Sequence, residues 1–316
     1  MLGLGTSVVP DSSATSFFLE ASLLAKFKTR VIDDGGSVES YSCMEQQLVP
    51  LLLEPTTFTT GLLEFYPNAA AAYSLRQLRR SVSPYAIRVR RSGDSLEQDI
   101  GFNSNGELDT NALLDFANGG DAWVDTWYDQ SSNGNDAVQN SVTQQPQIVS
   151  SGSLITENGK PALQFDGVND YFTKAFTLTN PVSHFVVAKA NNASEFILDG
   201  YDSNNRNSLY LDTTNSVRLY NNGAIYQTYT HGTQAVFSSI SNVASSSLAV
   251  NGSNTTGSLG TPPYDMDGVT IGVVGTLGTG YCLDGTIQEV ILYNSDEASN
   301  RTGIESNIND FYSIYS

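Results

Sequence analysis

The chain has two cysteines, Cys43 and Cys282, in 316 residues. That is too few for a disulfide framework, and with most of the sequence between them free buried thiols are the expectation. Histidine is equally scarce. His184 and His231 each stand alone in strand-like sequence, so neither a histidine metal triad nor the helical motif of zinc proteases is available. Basic residues number 15 against 33 acidic ones, for a net charge of −18, a field that repels phosphate backbones and excludes nucleic acid as a partner. No apolar run approaches the roughly eighteen residues of a membrane span, so no membrane insertion is expected. The opening MLGLGTSVVPDSS has neither the basic start nor the apolar core of a signal peptide, and the reading is a product made in a cytoplasm. Sequons such as Asn251-Gly-Ser then carry no glycan. No G-x-S-x-G elbow occurs, and Gly275-Thr-Leu-Gly-Thr-Gly280 lacks the Lys-Ser/Thr of a phosphate-binding loop.

What is present suits many short strands and turns. Apolar residues make up 40%, charged residues only 15%, and there are 27 glycines and 16 tyrosines. Charge is unevenly placed: residues 1–91 hold nine basic and eight acidic side chains, residues 92–316 six and twenty-five, which points to two regions with different tasks. In the first, Leu19, Leu23, Phe27 and Val31 recur at helical spacing and predict a helix over roughly 14–31. Asp33-Asp34-Gly35-Gly36 ends it, and a second apolar stripe follows through Met44, Leu48 and Leu52. Residues 1–65 carry too little apolar material for a core of their own, and are expected to pack on the body or on another chain as a helical arm for attachment or oligomerisation.

Beyond a short helix expected around Ala70–Leu78, residues 66–316 read as one extended segment after another. Candidates include Ala86–Arg90, Ala122–Tyr128, Ala162–Asp166, His184–Lys189, Ser208–Leu211, Val217–Tyr220, Ala235–Ile240 and Thr286–Tyr293, with Asp166-Gly167, Asn222-Gly223 and Asn251-Gly252 as punctuation. Such spacing is the mark of a sandwich or jelly roll, so the fold class is mainly β. An amphipathic helix through Ile304, Ile308, Phe311 and Tyr312, started by Ser295, closes the chain.

The segment Ala122-Trp-Val-Asp-Thr-Trp-Tyr-Asp129 contains both tryptophans. Strict alternation places Trp123, Asp125, Trp127 and Asp129 on one face. An aromatic plate beside carboxylate and amide oxygens suits a sugar, whose C–H face stacks on a ring while its hydroxyls need polar partners. With the loop residues Asn133, Asn135 and Asp136 these form the candidate ligand-binding set. The competing reading is a core tryptophan pair with Asp129 bonding the turn's own backbone. Two other polar loops, Asp199–Arg206 and Asp166–Asp170, are oxygen-rich but miss the spacing of a calcium loop; the calcium signal is weak, turn chemistry explains both loops, and no cofactor is expected. Glu289, in an apolar strand row, is either an acid with a raised pKa or the partner of a buried arginine, with Arg88 and Arg90 suitable. A glycosidase carboxylate pair is set in space, and 33 acids leave many combinations open.

Three runs carry a resemblance: Ala72-Tyr-Ser-Leu-Arg76, Ala86-Ile-Arg-Val-Arg-Arg-Ser-Gly-Asp94 with Gln98-Asp-Ile-Gly101, and Trp127-Tyr-Asp-Gln-Ser-Ser-Asn-Gly-Asn135. They resemble the front half of the catalytic domain of fungal-type α-L-arabinofuranosidase B, which implies a concanavalin A-like jelly-roll β-sandwich. Lys160-Pro-Ala-Leu-Gln-Phe-Asp-Gly-Val-Asn-Asp-Tyr171 and Gly285-Thr-Ile-Gln-Glu-Val-Ile-Leu-Tyr293 resemble the laminin-G and concanavalin-like lectin group. The family's nucleophile and acid fall on no matching segment after Asp136, and its vicinal cysteines are missing. The whole arrangement is similar to structural and adhesin-like proteins of tailed bacteriophages. That likeness implies a non-enzymatic, homo-oligomeric virion protein, bound to other virion proteins through residues 1–65 and displaying the sandwich for weak attachment to cell-surface glycans. The alternatives are a glycoside hydrolase related to α-L-arabinofuranosidases and a purely architectural virion subunit.

Overall fold

The computed structural model describes residues 60–80, 83–202, 206–213, 215–261, 263–278 and 280–316. Nearly all of the expected arm, with its two helices and Cys43, lies outside the described residues. The rest is a jelly-roll-like β-sandwich with few helices, and every strand pairing among the described residues is antiparallel.

One layer runs from Ser253–Gly257 through Ser246–Val250, Ala235–Ser241 and Val182–Ala190 to Asp284–Tyr293. The far edge of that last strand is shared by Ala69–Ser74 and Leu163–Asp166. The other layer runs from Glu97–Gly101 through Tyr85–Arg91, Ala122–Trp127, Ala137–Val138, Phe172–Leu178, Met266–Ile271 and Phe196–Asp199 to the ribbon Ser208–Asp212, Ser216–Tyr220 and Ala224–Thr228. The short strand Gln147–Ser150 bridges the two, pairing with Ala122–Trp127 on one side and with Gln164 on the other.

Burial follows the side-chain pattern. Val182–Ala190 is buried on both faces apart from Lys189. Val182, Val186 and Ala188 enter the core between the layers, while Phe185 and Val187 enter a second core beneath the helix Arg301–Tyr312. That helix contributes Ile304, Ile308 and Tyr312, one turn apart, and packs with Leu62 and Leu63 of the short helix Leu62–Phe65. It begins later than Ser295. The residues ahead of it form a turn in which the Ser295 hydroxyl donates to Glu297 Oε1 at 2.6 Å and the Ala298 N–H to Asp296 Oδ1 at 2.8 Å, a local use of Ser and Asp that competes with helix.

The helix expected around Ala70–Leu78 is instead the strand Ala69–Ser74. Alanine's preference for helix amounts to tenths of a kcal/mol per residue. Here it is outweighed by pairing with Glu289–Tyr293 and by burial of Ala71 and Tyr73 on one face and Ala69 and Ala72 on the other. His184 is buried in the first layer, beside Ser239 Oγ at 3.1 Å, and burial pushes its imidazole down to about 3, so it is neutral. Cys282 is a buried free thiol.

Candidate functional site

The strand Ala122–Trp127 does not alternate throughout. Opposite Tyr85–Arg91 its register runs Trp127 to Ile87 and Thr126 to Arg88, then Val124 to Val89 and Trp123 to Arg90. Asp125 has no partner in that ladder; it is the extra residue of a β-bulge, which reverses the facing of everything before it. Trp127 therefore points into the core, fully buried against Tyr73 and Phe172 at ring separations of 5.9 and 6.1 Å. Trp123 points the other way and stays partly exposed. The single face shared by Trp123, Asp125, Trp127 and Asp129 does not exist. Burial raises the Asp125 carboxyl, and its Oδ1 has no partner among the described residues.

The loop that follows is a clasp on the edge strand Ala69–Ser74. Buried Asp129 accepts from the N–H groups of Ala72, Ser131 and Asn135 at 2.9, 2.8 and 3.0 Å and from the Ser131 hydroxyl at 2.7 Å. Asp136 accepts the Asp129 N–H at 2.9 Å. Asn133 Nδ2 donates to the carbonyls of Ala69 and Ala70, and Asn135 Nδ2 to that of Ala70 at 2.8 Å. These side chains are occupied in holding one strand to another. Of the seven sequence candidates, Trp127 and Asp129 lie in the interior, Asp125 forms the bulge, Asn133, Asn135 and Asp136 serve the clasp, and Trp123 lines a cleft.

That cleft, of about 400 Å³, gathers residues the sequence leaves far apart. Arg90 and Trp123 come from paired positions of two strands, with the guanidinium carbon 4.8 Å from the indole centroid. Arg90 Nε donates to Gln145 Oε1 at 2.8 Å and Nη2 to the Val142 carbonyl at 3.1 Å, which fixes the ring it covers. Gln147 and Gln164 oppose one another across the bridge between layers. Their Nε2 groups donate to the carbonyls of Val149 and Phe165, at 2.9 and 2.8 Å, which leaves amide oxygens as acceptors in the wall.

The remaining wall is the turn Asp166–Asp170. Asp166 Oδ1 accepts from the N–H groups of Val168 and Asn169 at 2.8 and 3.1 Å, an Asx turn. Gly167 sits at φ +76°, and a Cβ there would meet Asp284 Cβ at 2.8 Å, so only glycine fits. The turn brings Asp170 back to accept the Asp166 N–H on Oδ2 at 3.1 Å. Asp170 is buried, and burial first, then the charge of Asp166, pushes its carboxyl up to about 7. A carboxyl that keeps its proton near neutrality, beside a second carboxylate, an indole and amide acceptors, is a proton donor set in a sugar-sized cleft. Sequence reasoning placed Asp166 and Asp170 in a turn and found neither their proximity to Trp123 nor the glutamines; the available signal was the period-two repeat Gln145, Gln147.

Glu289 is the structural carboxylate of the two readings offered, but its partner is neither Arg88 nor Arg90. Arg76 donates Nε to Oε2 at 2.7 Å and Nη2 to Oε1 at 2.9 Å, with the Ser74 hydroxyl on Oε2 at 2.7 Å. Arg88 holds Asp99. Asp199, in the other oxygen-rich loop, is fully buried and accepts from the N–H groups of Gly200 and Gly275, from Ser208 Oγ and from Arg206 Nε; Gly275 thus serves a carboxylate of its own chain. Among the described residues no group of three or more His, Cys, Asp or Glu side chains is arranged to hold a metal ion.

No protein-family model matches the sequence. No curated protein matches it either. Solved structures do. A GH54 α-L-arabinofuranosidase mutant soaked with 4-nitrophenyl α-L-arabinofuranoside superposes with a TM-score of 0.62 at 17% identity, over 78% of this chain and 64% of that one. An arabinofuranosidase complexed with arabinofuranosyl-α-1,2-xylobiose gives 0.61 at 18% identity with the same coverage. The chain thus spans less than two thirds of the length of these structures, and at such identity the likeness is one of fold. It overturns the expectation of a non-enzymatic bacteriophage virion or host-attachment protein. The solved structures that carry it are arabinofuranosidases.

Proposed function

We propose that this sandwich is a glycoside hydrolase acting on α-L-arabinofuranosides in the Trp123–Asp170 cleft. The observation that carries the reading is convergence: Trp123, Gln147, Gln164, Asp166 and Asp170 line one cavity although they come from separate strands and a turn. The sugar ring lies on the indole, and its hydroxyls donate to the free amide oxygens of the two glutamines. Asp170 gives its proton to the glycosidic oxygen as the anomeric C–O bond breaks and the bonding electrons pass to that oxygen. Asp166 supplies the second carboxylate, which stabilises the developing positive charge and assists the incoming water. Purified protein is assayed with 4-nitrophenyl α-L-arabinofuranoside and arabinose-bearing oligosaccharides. Turnover is expected, with Asp170→Asn and Asp166→Asn each losing about 100-fold or more in kcat and Trp123→Ala raising KM. Turnover that survives both aspartate variants, or none in the wild type, overturns the assignment.

A further inference from the structure

The ribbon formed by Ser208–Asp212, Ser216–Tyr220 and Ala224–Thr228 has two unlike faces. Leu209, Leu211, Val217, Leu219 and Ile225 are buried in the core. The opposite face sets Arg218 between its cross-strand partners Tyr210 and Tyr226, with Tyr220 two residues along. Beside it, Phe196 stacks on Tyr210 at 4.7 Å, and the face becomes the wall of a cavity of about 390 Å³ that shares no residue with the Trp123 cleft.

Two cations line this basin: Arg206 is held by Asp199 at 2.9 Å, whereas Arg218 has rings around it and no carboxylate partner among the described residues. The Arg218 guanidinium carbon lies 5.3, 5.1 and 5.3 Å from the ring centroids of Tyr210, Tyr220 and Tyr226. Its Nε is buried without an acceptor among the described residues. Arg76, Arg88, Arg91, Arg206 and Arg301 each hold a carboxylate; among the described residues Arg218 holds none. Asp212, on the same face, instead accepts from the Thr213 N–H at 2.7 Å. Residues 92–316 contain twenty-five acidic side chains, so an arginine left unpaired there retains a charge that a ligand can use. A buried donor without a partner is costly, and an anion that reaches it recovers the loss.

We propose that this basin binds an acidic saccharide, the sugar ring stacked on Tyr210 and its carboxylate held by Arg218. Aromatic walls select a ring with C–H faces, and the surrounding negative field turns away anions that offer charge alone. The inference does not rest on the hydrolase reading. Its test is calorimetric titration of the full chain with oligogalacturonate and with the carboxyl-reduced oligosaccharide of the same linkage, at low and high salt. Binding of the acidic form alone is expected, weakening with salt. Arg218→Gln lowers affinity about 10- to 100-fold, and Tyr210→Ala also weakens it. Trp123→Ala leaves it unchanged. Equal binding of the reduced sugar, salt-independent affinity, loss with Trp123→Ala but not with Arg218→Gln, or absence of binding each overturns the proposal. The salt and reduced-sugar arms use the wild type, so a misfolded variant does not remove the test.

Discussion

Asp170 couples the cleft to the stability of the fold, and Asp170→Asn isolates that coupling. In the folded chain its carboxyl is raised to about 7 from an ordinary value of 3.8, by burial and by Asp166. Between those two values the folded state holds a proton that the unfolded chain has released. Stability gained this way is complete below pH 3.8 and falls as pH rises, by about 1.4 kcal/mol per pH unit, levelling off above pH 7. The ceiling is therefore about 4 kcal/mol, lowered by any relaxation that lets water reach the carboxylate. Asparagine has the same shape, cannot ionise, and still offers Oδ1 to the Asp166 N–H. Unfolding by urea at pH 4 to 8, wild type against variant, cancels every other titrating group. The variant is expected to match the wild type near pH 4 and to exceed it by about 2 kcal/mol or more at pH 8. A difference that does not change with pH refutes both the raised carboxyl and its use as a proton donor at neutrality.

Asp129→Ala removes an acceptor from three backbone N–H groups and a hydroxyl, and denaturant melts should show a loss of about 3 to 5 kcal/mol. Arg76→Met leaves Glu289 charged and buried at a cost of about 3 to 5 kcal/mol, and the double variant with Glu289→Leu should recover most of it, which a double-mutant cycle measures. Trp127→Ala opens the core for about 3 to 5 kcal/mol, whereas Trp123→Ala should cost about 1 kcal/mol or less and act on saccharide binding instead; thermal melts and titrations separate the two.

Strands were legible because local side-chain pattern is enough to define them: Tyr85–Arg91, Ser216–Tyr220, Ala235–Ser241 and Asp284–Tyr293 lie within a residue or two of their predicted bounds. Features set by remote partners were not legible. Ala69–Ser74 is a strand because Asp284–Tyr293 lies beside it, more than two hundred residues on. The Asn133 and Asn135 amides look free in sequence, yet their acceptors are carbonyls over sixty residues earlier. Arg76 was an unremarked arginine until the fold set it on Glu289. The cleft failed to show for the same reason: its glutamines and aspartates are ordinary alone and meaningful only when Gln147 faces Gln164 across the join of the layers.

The bulge at Asp125 explains why two tryptophans four residues apart do opposite work. In an unbroken strand both occupy one face, and then either both fill the core or both leave it. The inserted residue lets Trp127 close the interior against Tyr73 and Phe172 while Trp123 stands opposite Arg90 at the cleft. It also has a cost, the burial of an Asp125 oxygen with no partner among the described residues. A core that needed only one tryptophan would be satisfied by regular alternation with a polar residue at 123, and no bulge would be required. The bulge is therefore accounted for by the outward indole, which contributes little to the core and lines the cleft.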